Sequence, residues 1–256
     1  MNRISIGFLA GRADNAISVY GSFVEYHRVI RSDLSFDAKV TSIAQNGNGI
    51  ASFGISDVYL NANIRAFDNL SLTVGAKVPL STANTASDGI PLPMDYQSSL
   101  GTFDAIVGVS YSVGNLQLVA AMQQPLTQNT NQFLASSYPV DSPLREFQST
   151  NGFQRSADVL LRASYPFTIS EQLMITPSLL PIYHVANDRF KDELGVEREI
   201  VGSRGLTLNA NVFAVYAIGE QDVIQFTVGV PVIVRDSRPD GLTRSVATGI
   251  EYRVGF

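Results

Sequence analysis

The chain has 256 residues, a formal net charge of −5 and a sequence pI near 5.0, with no run of Lys or Arg, a balance that argues against nucleic acid as a partner. It contains no cysteine, so a disulfide framework is excluded. No uninterrupted apolar run approaches the roughly 18 residues that a membrane helix needs. Barrel strands escape such a search, because polar lumen-facing and apolar lipid-facing residues alternate and average out, here to a mean hydropathy of only +0.10.

From the N-terminus, Ile4, Ile6 and Phe8 alternate with Arg3, Ser5 and Gly7, the period of two that puts one side of a strand in oil and the other in water. The apolar stretch from Ile4 to Ala10 contains Gly7 and makes a poor signal-peptide core. We therefore read 4–11 as the first strand of a mature chain whose signal peptide has been removed. The alternation predicts further strands at 17–28, 34–43, 51–66, 70–80, 101–113, 116–124, 153–166, 172–185, 204–218, 223–234 and 243–256. That makes about twelve, an even number as single-chain bacterial barrels require. In 51–66, Val58, Leu60, Ala62, Ile64 and Ala66 form the outward set, with Asp57, Tyr59, Asn61, Asn63 and Arg65 inward. In 204–218, Leu206, Leu208, Ala210, Val212, Ala214 and Tyr216 face out against Thr207, Asn209 and Asn211.

The connections carry as much information. Asp68-Asn69, Gly114-Asn115 and Gly219-Glu220-Gln221 are tight turns, whereas about 81–100, 125–152, 186–203 and 235–242 are long and polar. Past an early stretch where both kinds are short, the two alternate, as short periplasmic turns and long extracellular loops do in an outer-membrane barrel. Tyr26, Tyr111, Tyr165, Phe167 and Tyr216 fall on the outward set near short turns, where an interfacial girdle belongs. A soluble β-sandwich or lipocalin-like barrel also alternates, but its exposed set is rich in Lys, Glu and Asp; only 16% of this chain is charged. The reading is a single outer-membrane domain spanning 1–256: an all-β, antiparallel up-and-down transmembrane barrel in a Gram-negative envelope.

Twelve strands enclose a narrow lumen. The inward positions include Asp57, Lys77, Asp104, Asp158, Arg162, Arg65, Glu251 and Arg253. Strand direction places Asp57, Lys77, Asp104 and Asp158 toward the outer mouth and Arg65, Glu251 and Arg253 toward the periplasm. Such charges either pair across the lumen and hold its wall or act as a selectivity filter. Gly75, Gly108 and Gly229 also face inward, where a glycine lets the wall bend. Pro79, Pro181 and Pro231 belong near rims or bulges, and Pro177, mid-strand, predicts a bulge or lateral irregularity. The last segment alternates Ile250, Tyr252, Val254 and Phe256 with Gly249, Glu251, Arg253 and Gly255. Ending in Phe256, it looks like the closing strand that outer-membrane barrels present to their assembly machinery, with Tyr252, Val254 and Phe256 as the signal.

At Gly54-Ile55-Ser56-Asp57-Val58, at Lys77-Val78-Pro79-Leu80-Ser81 and at the closing Gly249-Ile250-Glu251-Tyr252-Arg253-Val254-Gly255-Phe256, the chain resembles the outer-membrane family associated with the meta-cleavage pathway of phenol degradation. The resemblance implies a passive channel for small, often apolar or aromatic solutes.

An enzyme reading finds little support. An outer-membrane phospholipase needs a Ser activated by His, and His184 is followed by Val185-Ala186, not by the His-x-Ser of that family. His27 lies beside Arg28, and neither histidine has Cys or clustered carboxylates at metal-ligand spacing. No cofactor or metal is expected. The rival to a channel is an accessory barrel in a larger outer-membrane complex, its lumen closed and its loops used for docking other outer-membrane proteins. The 125–152 connection, with Phe133, Tyr138 and Phe147, would then plug the lumen or lie on a partner. The expected partners are the lipid bilayer, the assembly machinery and a small-molecule solute.

Overall fold

The computed structural model describes residues 1–241 and 245–256. Its wall consists of β1 (Arg3–Arg12), β2 (Ser18–Arg31), β3 (Leu34–Gly47), β4 (Ile50–Phe67), β5 (Leu70–Pro79), β6 (Asp104–Val113), β7 (Leu116–Pro125), β8 (Asp158–Ser164), β9 (Leu173–His184), β10 (Gly205–Ala217), β11 (Asp222–Ile233) and β12 (Val246–Gly255). Each is antiparallel to its sequence neighbours, and β1 pairs with β12, so the sheet is a closed barrel of twelve strands. Closure runs to the ends of the chain: Asn2 N donates to Phe256 O at 3.1 Å and Phe256 N to Asn2 O at 3.0 Å. A closed barrel leaves no unpaired edge, which is what a hydrocarbon environment demands of a sheet.

The faces follow the alternation. Ile6, Phe8, Val24, Val74, Val107, Leu161, Phe226, Val228 and Ile250 are all exposed on the outside, an apolar belt that water would leave unsatisfied and lipid covers. Near the short turns, Tyr165 and Phe167 pack at 4.8 Å between ring centroids, and Tyr26 stacks on Phe256 at 6.5 Å. The tight turns at 68–69 and 114–115 are where the sequence places them, with Gly114 at φ +55.

Several expectations need correction. Residues 101–103 and 153–157 are not strand, so β6 starts at Asp104 and β8 at Asp158. Positions 243 and 244 of the expected last strand, and 242 of the preceding connection, lie outside the described residues. Pro177 makes no bulge: β9 keeps one register with β10 through Pro177↔Val212. The irregularity lies in its neighbour, where β8 stops at Ser164 and resumes pairing at Phe167–Thr168 in the same register. Tyr165 N still reaches Pro177 O at 3.1 Å, but Pro177 has no N–H to return and Pro166 none to give, so the ladder thins there. Pro231 does sit at a register shift, opposite Leu208/Asn209.

The alternation of β4 also changes phase. Phe53 and Ile55 point out and Ser52 and Gly54 in; then Ser56 and Asp57 are both buried, and from there the inward residues are odd-numbered. The cause is a bulge opposite Thr41, whose Oγ1 accepts from Asp57 N at 3.2 Å and donates to Asp57 O at 3.1 Å. The inward and outward sets predicted for 57–66 hold on the turn side of this bulge.

Buried apolar side chains gather outside the wall. Ala13, Ile17, Val19, Leu92, Tyr96, Phe133, Leu144 and Phe147 form one cluster, and Ala83, Met94, Leu100, Phe153 and Ile200 another. Apart from Val19, all of these lie in the connections at the end opposite the termini, so the long loops make a cap with a core of its own.

Candidate functional site

Inside the wall lies a cavity of about 760 Å³, reaching from Glu25, Asp37 and Asn61 up to Met94, Gly241 and Asp240 at the cap. Part of its lining comes from the connection between β5 and β6, which does not stay outside. Residues 94–102 dip into the barrel and strap against the inner face of β3, β4 and β5. Gln45 Nε2 donates to Gln97 O at 2.8 Å, and Ser52 Oγ to Tyr96 O at 2.8 Å. The strap approaches so closely that a Cβ at position 54 would stand 2.5 Å from Ser98 Oγ, which is the reason Gly54 is a glycine.

Three of the sequence-predicted lumen residues hold this strap. Lys77 Nζ lies 2.9 Å from Asp104 Oδ2 and donates to Thr102 Oγ1 at 3.0 Å; Thr102 donates on to Asp104 Oδ1 at 2.6 Å, and Gln123 also reaches Asp104. Asp57 accepts from Ser99 Oγ at 2.6 Å and Ser56 Oγ at 3.0 Å. Lys77 is 1% exposed and Asp104 0%, so this pair meets protein, not solute.

Asp158 belongs to a second group at the base of the cap. It contacts Arg155 and lies 2.7 Å from His184 Nδ1, whose Nε2 is 2.7 Å from Asp188. A carboxylate thus faces each ring nitrogen, an arrangement that favours the doubly protonated ring. Arg235 donates to Asp240 at 3.0 Å and to Ser203 O at 2.9 Å, while Arg155 Nε is 3.8 Å from Asp240. Burial pulls the pKa of Arg155 down, but Asp158, Asp240 and Asp188 outweigh it and leave the guanidinium above its ordinary value. These ion pairs bind three connections, 126–157, 185–204 and 234–241, to the rim.

The remaining candidates lie lower. Glu251 pairs with Arg253 at 2.6 Å, and Arg253 also donates to Gln225 at 2.7 Å. Beside them Lys39 is 3.6 Å from Glu25 and 3.7 Å above the Phe23 ring, and His27 lies 2.5 Å from Asp37. Arg162 and Arg65 are exposed on the inner side and have no carboxylate partner among the described residues. Thus the four charges expected toward the outer mouth divide into Asp57, Lys77 and Asp104, which seat the strap, and Asp158, which lies past β7 on β8 and joins the cap. Arg155, Asp188, Arg235, Asp240 and the strap were not foreseen, because they lie in connections without periodicity. The spacing of Thr102 and Asp104 after a polar Gln97-Ser98-Ser99 run was the one available signal. The 125–152 segment does not fill the lumen: Phe133, Tyr138 and Phe147 pack in the cap, against Tyr96, Leu92 and each other.

No protein-family model matches this chain, and no curated protein matches it by sequence. Solved structures do match its fold. It is similar to the COG4313 outer membrane channel from Pseudomonas putida F1, with a TM-score of 0.66 at 12% identity, covering 100% of this chain and 95% of that one. The NanC porin matches with a TM-score of 0.53 at 9% identity over 100% and 99% of the two chains. The translocator domain of the autotransporter NalP from Neisseria meningitidis matches with 0.52 at 9% identity over 100% and 88%. What these chains share with this one is a transmembrane β-barrel, the fold expected from the alternation.

Proposed function

We propose that the protein is a passive outer-membrane channel for small, weakly polar or aromatic solutes. The observation that carries the reading is the continuous 760 Å³ cavity inside a closed wall, whose charged side chains are mostly spent on one another. Leu9, Phe23, Ile43, Leu100, Leu160 and Ile182 line it between the ion pairs, a surface that suits a molecule with an apolar body and one or two polar groups. The COG4313 channel and the NanC porin are consistent with this reading; the NalP domain shows that the same barrel serves other ends, so the lumen and not the fold carries the argument. In the same reading the protein is non-catalytic and sits in the outer membrane after loss of a signal peptide, and Tyr252, Val254 and Phe256 are what it offers to the assembly machinery. Asp57, Lys77 and Asp104 act by seating the strap, and Arg162, Arg65, Glu251 and Arg253 by facing the passing solute.

Planar-bilayer recording in KCl, with solute flux into liposomes, tests it. The expected result is a small, steady single-channel current and entry of small aromatic solutes. Absence of both assigns the barrel to the alternative, a closed accessory subunit of a larger outer-membrane complex, which the cap over the outer mouth would suit.

A further inference from the structure

At the cap end of the lumen an alcove of about 230 Å³ opens between β9, β10, β11 and the base of the cap. Arg155, Asp158, His184, Arg235 and Asp240 line its upper part, and Thr207, Asn209 and Asn211 its lower part, with Ile182, Pro231 and Ala247 as apolar wall. Arg155, Asp158, Ile182, Asp240 and Ala247 border the main cavity as well, so the alcove is a side chamber of the lumen.

Its acids and bases are matched in number, and Asp188 Oδ2 nearby is also without a partner among the described residues, but the hydrogen-bond donors lining the alcove are not all used. Asp158 is engaged by both Arg155 and His184, and Asp240 by Arg235. On the donor side, Arg155 Nη1 and Nε and Asn211 Nδ2 are buried and have no hydrogen-bond partner among the described residues, Nε lying 3.8 Å from Asp240. A buried donor without a partner costs about 1–3 kcal/mol, more when charged, and Arg155 is 6% exposed. Such donors around an enclosed space call for an oxygen acceptor. Gly229 makes room for the Asn211 amide, since a Cβ there would stand 2.5 Å from Asn211 Oδ1.

We propose that this alcove is a binding site for a ring-sized organic acid, its carboxylate held by Arg155 and Thr207 and its ring on Ile182 and Pro231, toward Asn211. The role of the site rests on the channel reading, as a station beside the path; the binding itself does not. The acceptor satisfies the unused donors of Arg155, an asymmetry that discriminates strongly against an analogue lacking it. The cavity matches a single aromatic ring with one substituent and is too small for a chain of sugars.

The probe is sodium benzoate, titrated into the full chain in detergent by calorimetry, with benzyl alcohol as the neutral analogue. Saturable binding of benzoate is expected, with affinity for benzyl alcohol at least tenfold lower. Thr207→Val and Asn211→Asp, which change little in volume, should each weaken benzoate about tenfold while leaving the melting temperature of the free barrel within a few degrees. Arg155→Lys is less informative because Arg155 also braces the cap. No saturable binding, equal binding of the two probes, or unchanged affinity in both variants overturns the proposal. Conductance recorded on the same preparation separates the two ideas: benzoate binding without current leaves the alcove standing and removes the channel.

Discussion

The wall and the cap of this molecule place apolar surface on opposite sides. In the wall, Val74, Val107, Phe226 and Val228 point outward and Lys77, Asp104, Asn209 and Thr227 inward. In the cap, Phe133, Phe153, Leu92 and Tyr96 are at most 2% exposed, and charged residues such as Glu193, Glu197 and Arg198 face out. Backbone polarity is handled differently too. The wall pairs its peptide groups strand to strand, as a bilayer requires. The cap relies on side chains: Asn131 alone accepts from Phe133 N at 3.0 Å and donates to Ala83 O at 2.9 Å and Leu92 O at 3.0 Å. One chain therefore contains two folding problems, one solved against lipid and one against water, joined by the strap and by the ion pairs at the rim.

The sharpest way to break the join is to leave one of its charges alone. Lys77→Met keeps the volume but strands the sealed Asp104 carboxylate, at a cost of about 3–5 kcal/mol. Lys77→Met with Asp104→Leu should recover much of that loss, since apolar replacement of both partners is often near neutral. Denaturant midpoints of refolded barrels read the effect. A Lys77→Met barrel as stable as wild type would mean that the pair is not a strut, and its altered ion selectivity would then be the quantity to measure. In the cap, Phe133→Ala removes a fully buried ring, worth about 3–5 kcal/mol. The loss should be local: proteolysis of residues 126–157 accelerates while the barrel keeps its heat-modifiable migration in detergent gels. Loss of both together would show that cap and wall fold as one unit.

The wall has its own test, of intermediate size. Leu60→Arg and Val228→Arg place a cation on the lipid side, at about 2–4 kcal/mol near the midplane. Thr227→Arg, one residue along, points into the lumen and should be tolerated far better. Equal destabilisation by Val228→Arg and Thr227→Arg would contradict the face assignment, because a one-residue slip exchanges the two faces throughout.

How much of this was legible depends on the same division. The wall announces itself because lipid on one side and water on the other impose a period of two along every strand, and Val58 to Arg65 can be assigned to faces by inspection. The bulge at Ser56-Asp57 breaks that period within one strand and is invisible to it, since Thr41, whose hydroxyl accommodates it at Asp57, is sixteen positions away in sequence. The strap and the alcove were harder still. Tyr96, Ser99, Arg155 and Asp240 acquire meaning only when loops remote in sequence meet over the barrel mouth, and loops carry no repeat from which the meeting could be read. Proline was only partly legible: the missing N–H of Pro177 leaves its own strand β9 regular, and the gap falls on β8, where Tyr165-Pro166 interrupts the ladder.

The smallest expected effect isolates the cap from the wall by pH alone. At its outer tip, Arg189–Lys191 and Glu197–Glu199 pair as a hairpin around Gly195. Asp192 Oδ2 accepts from Arg198 Nε at 2.9 Å, and Oδ1 from Val196 N at 2.9 Å and Leu194 N at 3.0 Å. The Arg198 bond first, and the backbone bonds with it, hold the Asp192 carboxyl below its ordinary value. A depressed folded-state pKa stabilises the hairpin above the unfolded value, near 3.9, and that contribution is lost as pH falls through the folded value. Amide exchange at Leu194 and Val196, corrected for intrinsic rates, should therefore be slower relative to reference at pH 6 than at pH 3. Asp192→Asn should abolish most of the difference. Amides of β1 and β12, paired across the closing seam, should show no such dependence. If Leu194 and Val196 are equally protected at both pH values, the turn is set by Gly195 and the strand pairing alone, and the carboxylate is a passenger. If β1 and β12 lose protection in step with them, the cap is not the separate unit that its buried aromatics describe.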